Sequence, residues 1–119
     1  MKVTEILEAS ETPHKHIIWV DDLRSPGPAL EGKCDIARTY DEAIQMLSHH
    51  MYTEIWLDHD LGDVENETGR REMTGYDVLL WLIDAKHEGK HVPTKFHILT
   101  ANASARPRME GVINRYLSS

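Results

Sequence analysis

Two short apolar segments that each stop at an aspartate constrain this chain most. The first, His16–Val20 (HIIWV), runs into Asp21, and the second, Glu54–Leu57 (EIWL), runs into Asp58. Both are rich in β-branched and aromatic residues and too short for a helix, so each predicts a buried strand that ends at a loop. Aspartates at the ends of two such strands predict one shared polar site.

Further strands and helices are predicted between and after these segments. Asp35–Arg38 and Phe96–Thr100 read as strands, whereas Tyr40–His49, the stretch after Gly75 and Arg106–Leu117 have helical periodicity. Strands separated by helices imply right-handed crossovers and a parallel sheet. We therefore expect an α/β fold with about four to five strands and helices on both faces.

Turn and capping residues predict where these elements begin. Pro26, Gly27 and Pro28 follow the first strand closely and block a helix there, so the first crossover is expected to be mostly loop. Thr39, with Glu42 three residues later, has the pattern of a capping box. We therefore expect the first helix to begin at the residue after this threonine.

The length of 119 residues and mass of 13.7 kDa suit one domain. We assign it to residues 16–119 and treat residues 1–15 as an N-terminal extension, in which Val3, Ile6 and Leu7 favour one short helix. No apolar run approaches the roughly 20 residues of a membrane-spanning helix, and no secretory signal is present. We therefore expect a cytoplasmic protein that does not enter membranes.

The net charge bears on partners. A formal charge of −7 opposes nonspecific binding to nucleic acid, because attraction to phosphate needs clustered lysine and arginine. It is compatible with a small phosphorylated ligand, or one RNA end, that is held through a metal ion. The sequence carries no signal for the oligomeric state.

Asp21, Asp22 and Asp58 are the candidate metal ligands. Carboxylates at adjacent strand ends repel each other unless a cation lies between them. Mg²⁺ is the first choice because it prefers oxygen ligands and keeps waters that a substrate can replace, and Mn²⁺ is the alternative. The other interpretation is that Asp21 and Asp22 cap a helix or form a turn, which the prolines behind them make less favourable.

His59 and Asp60 follow Asp58 directly and are candidates for acid–base chemistry. A histidine flanked by aspartates can transfer protons near neutral pH or bind a softer metal. The alternative is that His59 packs over the loop while Asp60 forms a turn with Gly62. His97 lies inside a predicted strand, where a histidine is more often a satisfied core residue than a ligand.

Polar residues around the last predicted strand are candidates for holding phosphate. Thr100 and Asn102 end that strand and can donate hydrogen bonds to phosphoryl oxygens. Arg106 opens the next helix, whose free backbone N–H groups favour an anion. Arg24, just after the first aspartates, is a further cation. The alternative is that these arginines are ordinary surface residues.

Five motifs occur in one order along the chain: Asp21-Asp22-Leu-Arg24-Ser-Pro26, Arg38-Thr-Tyr-Asp-Glu42-Ala43, Leu57–Gly62 (LDHDLG), Thr74–Asp77 (TGYD) and His97–Asn102 (HILTAN). Together they resemble the cyclic-phosphate processing receiver domain (cREC), an offshoot of the two-component receiver domains. The resemblance spans about Ile17 to the C-terminus. It implies a receiver-like (flavodoxin-like) sheet with the aspartates in an acidic pocket.

The resemblance also implies an activity. Members of this family are thought to act on cyclic phosphate ends or related phosphoesters in RNA repair and phage conflict. Our leading hypothesis is a metal-dependent phosphoesterase or binding domain, in which His59 or His97, with Asp60 beside them, handles protons. The sequence leaves open whether the domain is an enzyme.

The alternative is a non-catalytic signalling or adaptor module that binds a partner through Trp19, Trp56 or the N-terminal extension. A third option is a receiver that accepts a phosphoryl group at Asp58. Ordinary receivers need a lysine at the end of a fifth strand, and Lys95 stands at the wrong end of its predicted strand for that role.

Overall fold

Short apolar strands form a parallel sheet at the centre of the computed structural model, which describes residues 15–61, 73–100 and 102–117. The strands are β1 (Ile17–Val20), β2 (Cys34–Ala37), β3 (Glu54–Leu57) and β4 (Lys95–Ile98). They pair in the order β2-β1-β3-β4, and every pair is parallel. The chain therefore moves outward from β1 to β2 and then back across the sheet to β3 and β4.

Three helices accompany the sheet in the described part of the chain. They are α1 (Tyr40–His49), α2 (Gly75–His87) and α3 (Ala105–Val112), which continues as a π-helical turn over Ile113–Leu117. The parallel sheet and its helices confirm the predicted receiver-like α/β fold. The short helix expected in the N-terminal extension falls on residues 1–14, outside the described residues. None of the described helices combines the length and apolar character needed to cross a membrane.

The start of α1 is held by two side chains. The Thr39 hydroxyl accepts a hydrogen bond from the Glu42 backbone N–H at 3.1 Å, as the capping pattern predicts. The Glu42 carboxylate reaches back to the backbone N–H of Arg38 at 2.7 Å, one residue before the position that a capping box uses. Both bonds tie the end of β2 to the first turn of α1.

One face of the sheet carries the core. Side chains alternate along each strand, and Ile18, Val20, Ile55 and Leu57 lie on the same face, fully buried. All three helices contribute apolar residues to this cluster: Ala43, Leu47, Val78, Leu79, Leu82, Ala105, Met109, Ile113 and Leu117. Helices were expected on both faces, whereas every helix of the described residues packs on this one.

The direction of the crossovers explains this one-sided packing. Right-handed crossovers that run in opposite directions along a sheet lie on opposite faces. The β1-to-β2 crossover runs one way, while the β2-to-β3 and β3-to-β4 crossovers run the other way. Because Pro26, Gly27 and Pro28 keep the first crossover free of helix, residues 28–33 form turns, as the sequence predicts. On the second face the connection is therefore a loop, and the helices of the described residues lie on the first face.

Three ring side chains lie side by side on this second face, and we call Trp19, Trp56 and His97 the aromatic row. They are register partners across β1, β3 and β4. The two indoles stack at 5.7 Å between ring centroids, and His97 stacks on Trp56 at 3.9 Å with 14° between the planes. The first crossover covers one end of the row, because the Trp19 indole N–H donates to the Arg24 carbonyl at 2.9 Å.

Gly75 allows α2 to begin directly against the strand end that carries Asp58. A β-carbon at Gly75 would overlap the Asp58 carbonyl oxygen. The Gly75 N–H also donates to the His59 carbonyl at 2.8 Å, so the backbone is held in this close approach. By contrast, a β-carbon at Gly111 in α3 would meet nothing within 4 Å.

We expect Gly75→Ala to lower the free energy of unfolding by about 3 kcal/mol, the upper part of the usual cost of overpacking. The matched control Gly111→Ala should be neutral or stabilising by up to about 1 kcal/mol, since alanine favours a helix interior. Urea denaturation of both variants measures the difference. Equal stabilities would contradict the close approach of α2 to the Asp58 strand end.

Candidate metal and phosphate site

The carboxyl edge of the sheet brings Asp21, Asp22 and Asp58 together. The first two follow β1 and the third follows β3, at the point where the strand order reverses. One carboxylate oxygen from each residue lies within 4.8 Å of the other two. Asp21 and Asp58 are buried, and Asp22 is half-buried. Open parallel sheets bind ligands at this kind of position.

The strand ladder continues one residue past β1 and β3 and so orients two of these carboxylates. The Asp21 N–H donates to the Ala37 carbonyl at 3.1 Å, and the Asp58 N–H donates to the Val20 carbonyl at 2.9 Å. Because side chains alternate along a strand, Asp21 and Asp58 lie on the same face as the aromatic row, two residues further along. The helix-free face and the acidic site are therefore continuous.

Arg24 supplies positive charge to the aspartates. Its Nε donates to Asp21 at 2.9 Å, and its Nη2 lies 3.4 Å from the Asp58 carboxylate and donates to the Leu99 carbonyl at 3.2 Å. The second Asp21 oxygen accepts the backbone N–H groups of Leu23 at 2.9 Å and Arg24 at 3.1 Å. Asp21 thus forms a turn, as one interpretation of the sequence expected, and also faces the other carboxylates.

Arg38 holds the loop that carries Arg24. Its guanidinium donates to the carbonyls of Asp21 at 3.0 Å and Arg24 at 2.6 Å, and to the Ser25 hydroxyl at 3.0 Å. The Arg24 carbonyl is shared with the Trp19 indole. The sequence motif that contains Arg38 predicts no role for it. The sequence shows only that Arg38 directly follows a predicted strand. Its contacts with the loop after β1 form only when β2 lies beside β1 in the folded sheet.

Burial raises the pKa of Asp58, and the Asp21 carboxylate raises it further. The backbone N–H of His59, which donates to Asp58 at 2.8 Å, and the Arg24 guanidinium act in the opposite direction and lower the pKa. The net effect is that ionised Asp58 is disfavoured by its surroundings. A divalent cation such as Mg²⁺, which prefers oxygen ligands, could lie between these carboxylates and offset their repulsion.

His59 and Asp60 form a pair beside the aspartates. The His59 Nδ1 lies 3.1 Å from the Asp60 carboxylate, and Asp60 forms an isolated antiparallel bridge with Thr74. The carboxylate orients the imidazole ring through one of its two nitrogens. The turn expected between Asp60 and Gly62 involves a residue outside the described part of the chain.

Thr100 and Asn102 shape the turn between β4 and α3. The buried Thr100 hydroxyl accepts the backbone N–H of Asn102 at 3.1 Å. The Asn102 side-chain oxygen accepts the backbone N–H groups of Ser104 at 2.9 Å and Ala105 at 3.0 Å, and so caps the start of α3. Their role toward phosphate stays a prediction.

Arg106 lies at the outer edge of β4. The Leu99 N–H points inward to the Leu57 carbonyl, so the carbonyls of Ile98 and Thr100 point outward. Arg106 donates to both, at 2.8 Å and 3.3 Å. Its guanidinium thus occupies edge carbonyls that a fifth strand would use, and within the described residues the sheet has four strands.

Lys95 and His97 lie earlier along β4 than the row of the aspartates, and His97 is one row before it. Lys95 is the first residue of β4 and so lies at the amino end of the strand, as expected from the sequence, whereas the aspartates follow the carboxyl ends of their strands. The His97 side chain belongs to the aromatic row. Its Nε2 is buried 2.9 Å from the Glu54 carboxylate, at an angle too poor for a hydrogen bond. The acidic cluster of the described residues consists of aspartates without either histidine, and the catalytic roles of His59 and His97 stay predictions.

We expect Asp58→Asn to raise the melting temperature of the metal-free protein at pH 7. Folding raises the pKa of Asp58. At a pH above this raised pKa the ionised carboxylate lowers the free energy of unfolding, whereas below the ordinary pKa of about 4 the carboxyl is protonated in both states and has no such effect. A gain of about 1 kcal/mol in the free energy of unfolding would raise the melting temperature by roughly 4 °C. Thermal melts in a chelator should show the gain shrinking toward pH 4, and a gain independent of pH would contradict this electrostatic account.

Comparison with known proteins agrees with this geometry. The profile of the family described as cyclic-phosphate processing Receiver domain matches residues 16–115. The matched range includes all four strands, the three helices and the three clustered aspartates. No curated protein and no solved structure matches the chain. With most of its length inside the matched range, the chain belongs to the cyclic-phosphate processing receiver domain family.

Proposed function

We propose that this domain is a metal-dependent phosphoesterase or binding domain for cyclic phosphates and related nucleotide or RNA phosphoesters. The observation that carries the proposal is the set of three carboxylates within 4.8 Å of one another where the strand order reverses. Cyclic-phosphate processing is also the description of the family. The expected partner is a small phosphorylated ligand or an RNA end.

The metal site would consist of Asp21, Asp22 and Asp58, with Mg²⁺ as the first choice and Mn²⁺ as the alternative. A bound divalent ion would polarise the phosphoryl group and lower the pKa of a bound water. Binding would also remove the repulsion that raises the pKa of Asp58. Arg24 already contacts two of these carboxylates, and its half-exposed guanidinium has further donors for a phosphate oxygen.

His59 is the better-placed candidate for moving protons. Its ring is held by Asp60 through Nδ1, so the other nitrogen can exchange a proton with the substrate or with water. His97 is the second candidate, although its Nε2 is sheltered against Glu54. This shelter favours a binding role for His97 over proton transfer.

Phosphate would be held at the carboxyl end of β4. Thr100, Asn102 and Arg106 surround the turn into α3, and Arg24 reaches the same strand through the Leu99 carbonyl. Several donors that converge on one turn suit an anion with several oxygens. We assign these residues to phosphate binding because they lie near the carboxyl end of β4, at the same end of the sheet as the aspartates.

Isothermal titration calorimetry tests the metal site. We expect Mg²⁺ and Mn²⁺ to bind with one site per chain, and Asp58→Asn to weaken binding at least about 10-fold because it removes one of the few anionic ligands. Asp84→Asn is the matched control, since it removes one charge from an exposed position on α2. Absence of binding, or equal loss in both variants, would refute the proposed site.

Turnover separates the candidate functions. We expect 2′,3′-cyclic nucleotides or cyclic dinucleotides to be opened in the presence of Mg²⁺, and His59→Gln to lower the rate by about 100-fold or more if it handles a proton. A receiver-like adaptor, which the half-buried Trp56 favours, predicts no turnover. A phospho-accepting receiver predicts a labile adduct on Asp58 with a small phosphodonor.

A further inference from the structure

The aromatic row is a continuous stack of rings that ends at a free edge of the sheet. β4 is the last strand in the order, so His97 has Trp56 on one side and no strand of the described residues on the other. Its side chain is 39% exposed. One ring face rests on Trp56 at 3.9 Å between ring centroids, and the opposite ring face is directed away from the strands of the described residues. Another planar group can extend the stack there.

Glu54 lies against both rings at this end of the row. Its Oε2 accepts the Trp56 indole N–H at 3.0 Å and lies 2.9 Å from the His97 Nε2. The hydrogen bond therefore orients the Trp56 indole on which the His97 ring stacks. A platform that is already ordered loses little side-chain entropy when a ligand stacks on it.

The stack and the acidic site lie on the same face, one row apart. His97 and Leu99 are separated by two residues along β4, which corresponds to about 6.6 Å. Arg24 donates to the Leu99 carbonyl while it contacts Asp58, so its positive charge lies one row beyond His97. A base on the outer face of His97 lies about one strand spacing, or about 4.8 Å, further outward, so roughly 8 Å separates it from the row of Leu99. The ribose and phosphate of one nucleotide together can span this distance.

We propose that the base of a nucleotide substrate stacks on the outer face of His97, extending the aromatic row, while its phosphate lies at Arg24 and the aspartates. This subsite rests on the proposed function and specifies its substrate class as a nucleoside cyclic phosphate or an RNA terminus. Every base has a flat π face, so such a platform accepts different bases without reading their edges. Within the described residues no helix packs on this face, and the first crossover contacts the row at its Trp19 end, away from His97.

The test compares two probes in Mg²⁺ by calorimetry: adenosine 2′,3′-cyclic phosphate and the base-free methyl riboside 2′,3′-cyclic phosphate. The wild-type domain should bind the nucleotide about 10-fold or more tightly than the base-free probe. His97→Ala should reduce this ratio to near one, because the base loses the ring on which it stacks. His97→Phe should retain the preference, because it keeps a ring and loses only the nitrogens.

His87→Ala, an exposed histidine at the end of α2, is the matched control and should leave the ratio unchanged. Far-ultraviolet circular dichroism of each variant verifies its fold. If the wild type binds both probes equally, or His97→Ala keeps the preference, the stacking subsite is overturned. If neither probe binds, the proposed function is overturned together with it.

Discussion

Repulsion between carboxylates at neighbouring strand ends is the constraint on which this structure depends. Asp21 and Asp58 end β1 and β3, which are direct neighbours, so the backbone ladder brings their charges together. Arg24 offsets part of this repulsion from a loop that Arg38 and Trp19 hold by hydrogen bonds to its backbone. Burial and, after it, the Asp21 carboxylate raise the pKa of Asp58, so its ionised form stays disfavoured despite Arg24. A divalent cation would offset the repulsion between these carboxylates.

The absence of a helix from the first crossover is the second determinant. It leaves one face of a parallel sheet without a helix among the described residues, although such sheets are ordinarily covered on both sides. The loop covers Trp19, while Trp56 and His97 are only partly buried. The same loop carries Arg24 to the aspartates. One proline-containing loop therefore both supplies Arg24 to the acidic site and takes the place of a helix on the neighbouring face.

Local patterns predicted the elements well because their signals lie within a few residues. The apolar runs before Asp21 and Asp58 identified β1 and β3, and Thr39 located the start of α1. The one-sided helix packing was not predicted, since it follows from the order of the strands in the sheet. The hydrogen bonds from Arg106 to the outer carbonyls of β4 could not be predicted either, because they depend on which strand has an unpaired edge in the folded sheet.

The amino-acid sequence by itself determined the parallel α/β fold, the family and the residues that carry negative charge at the strand ends. Strand propensity, turn residues and motif order are properties of short segments, so they can be read without a structure. Only the tertiary structure decided that Arg24 bridges Asp21, Asp58 and Leu99, and that His97 stacks on Trp56 one row before the aspartates. These contacts join strands far apart in the chain, and their geometry exists only when the sheet has formed.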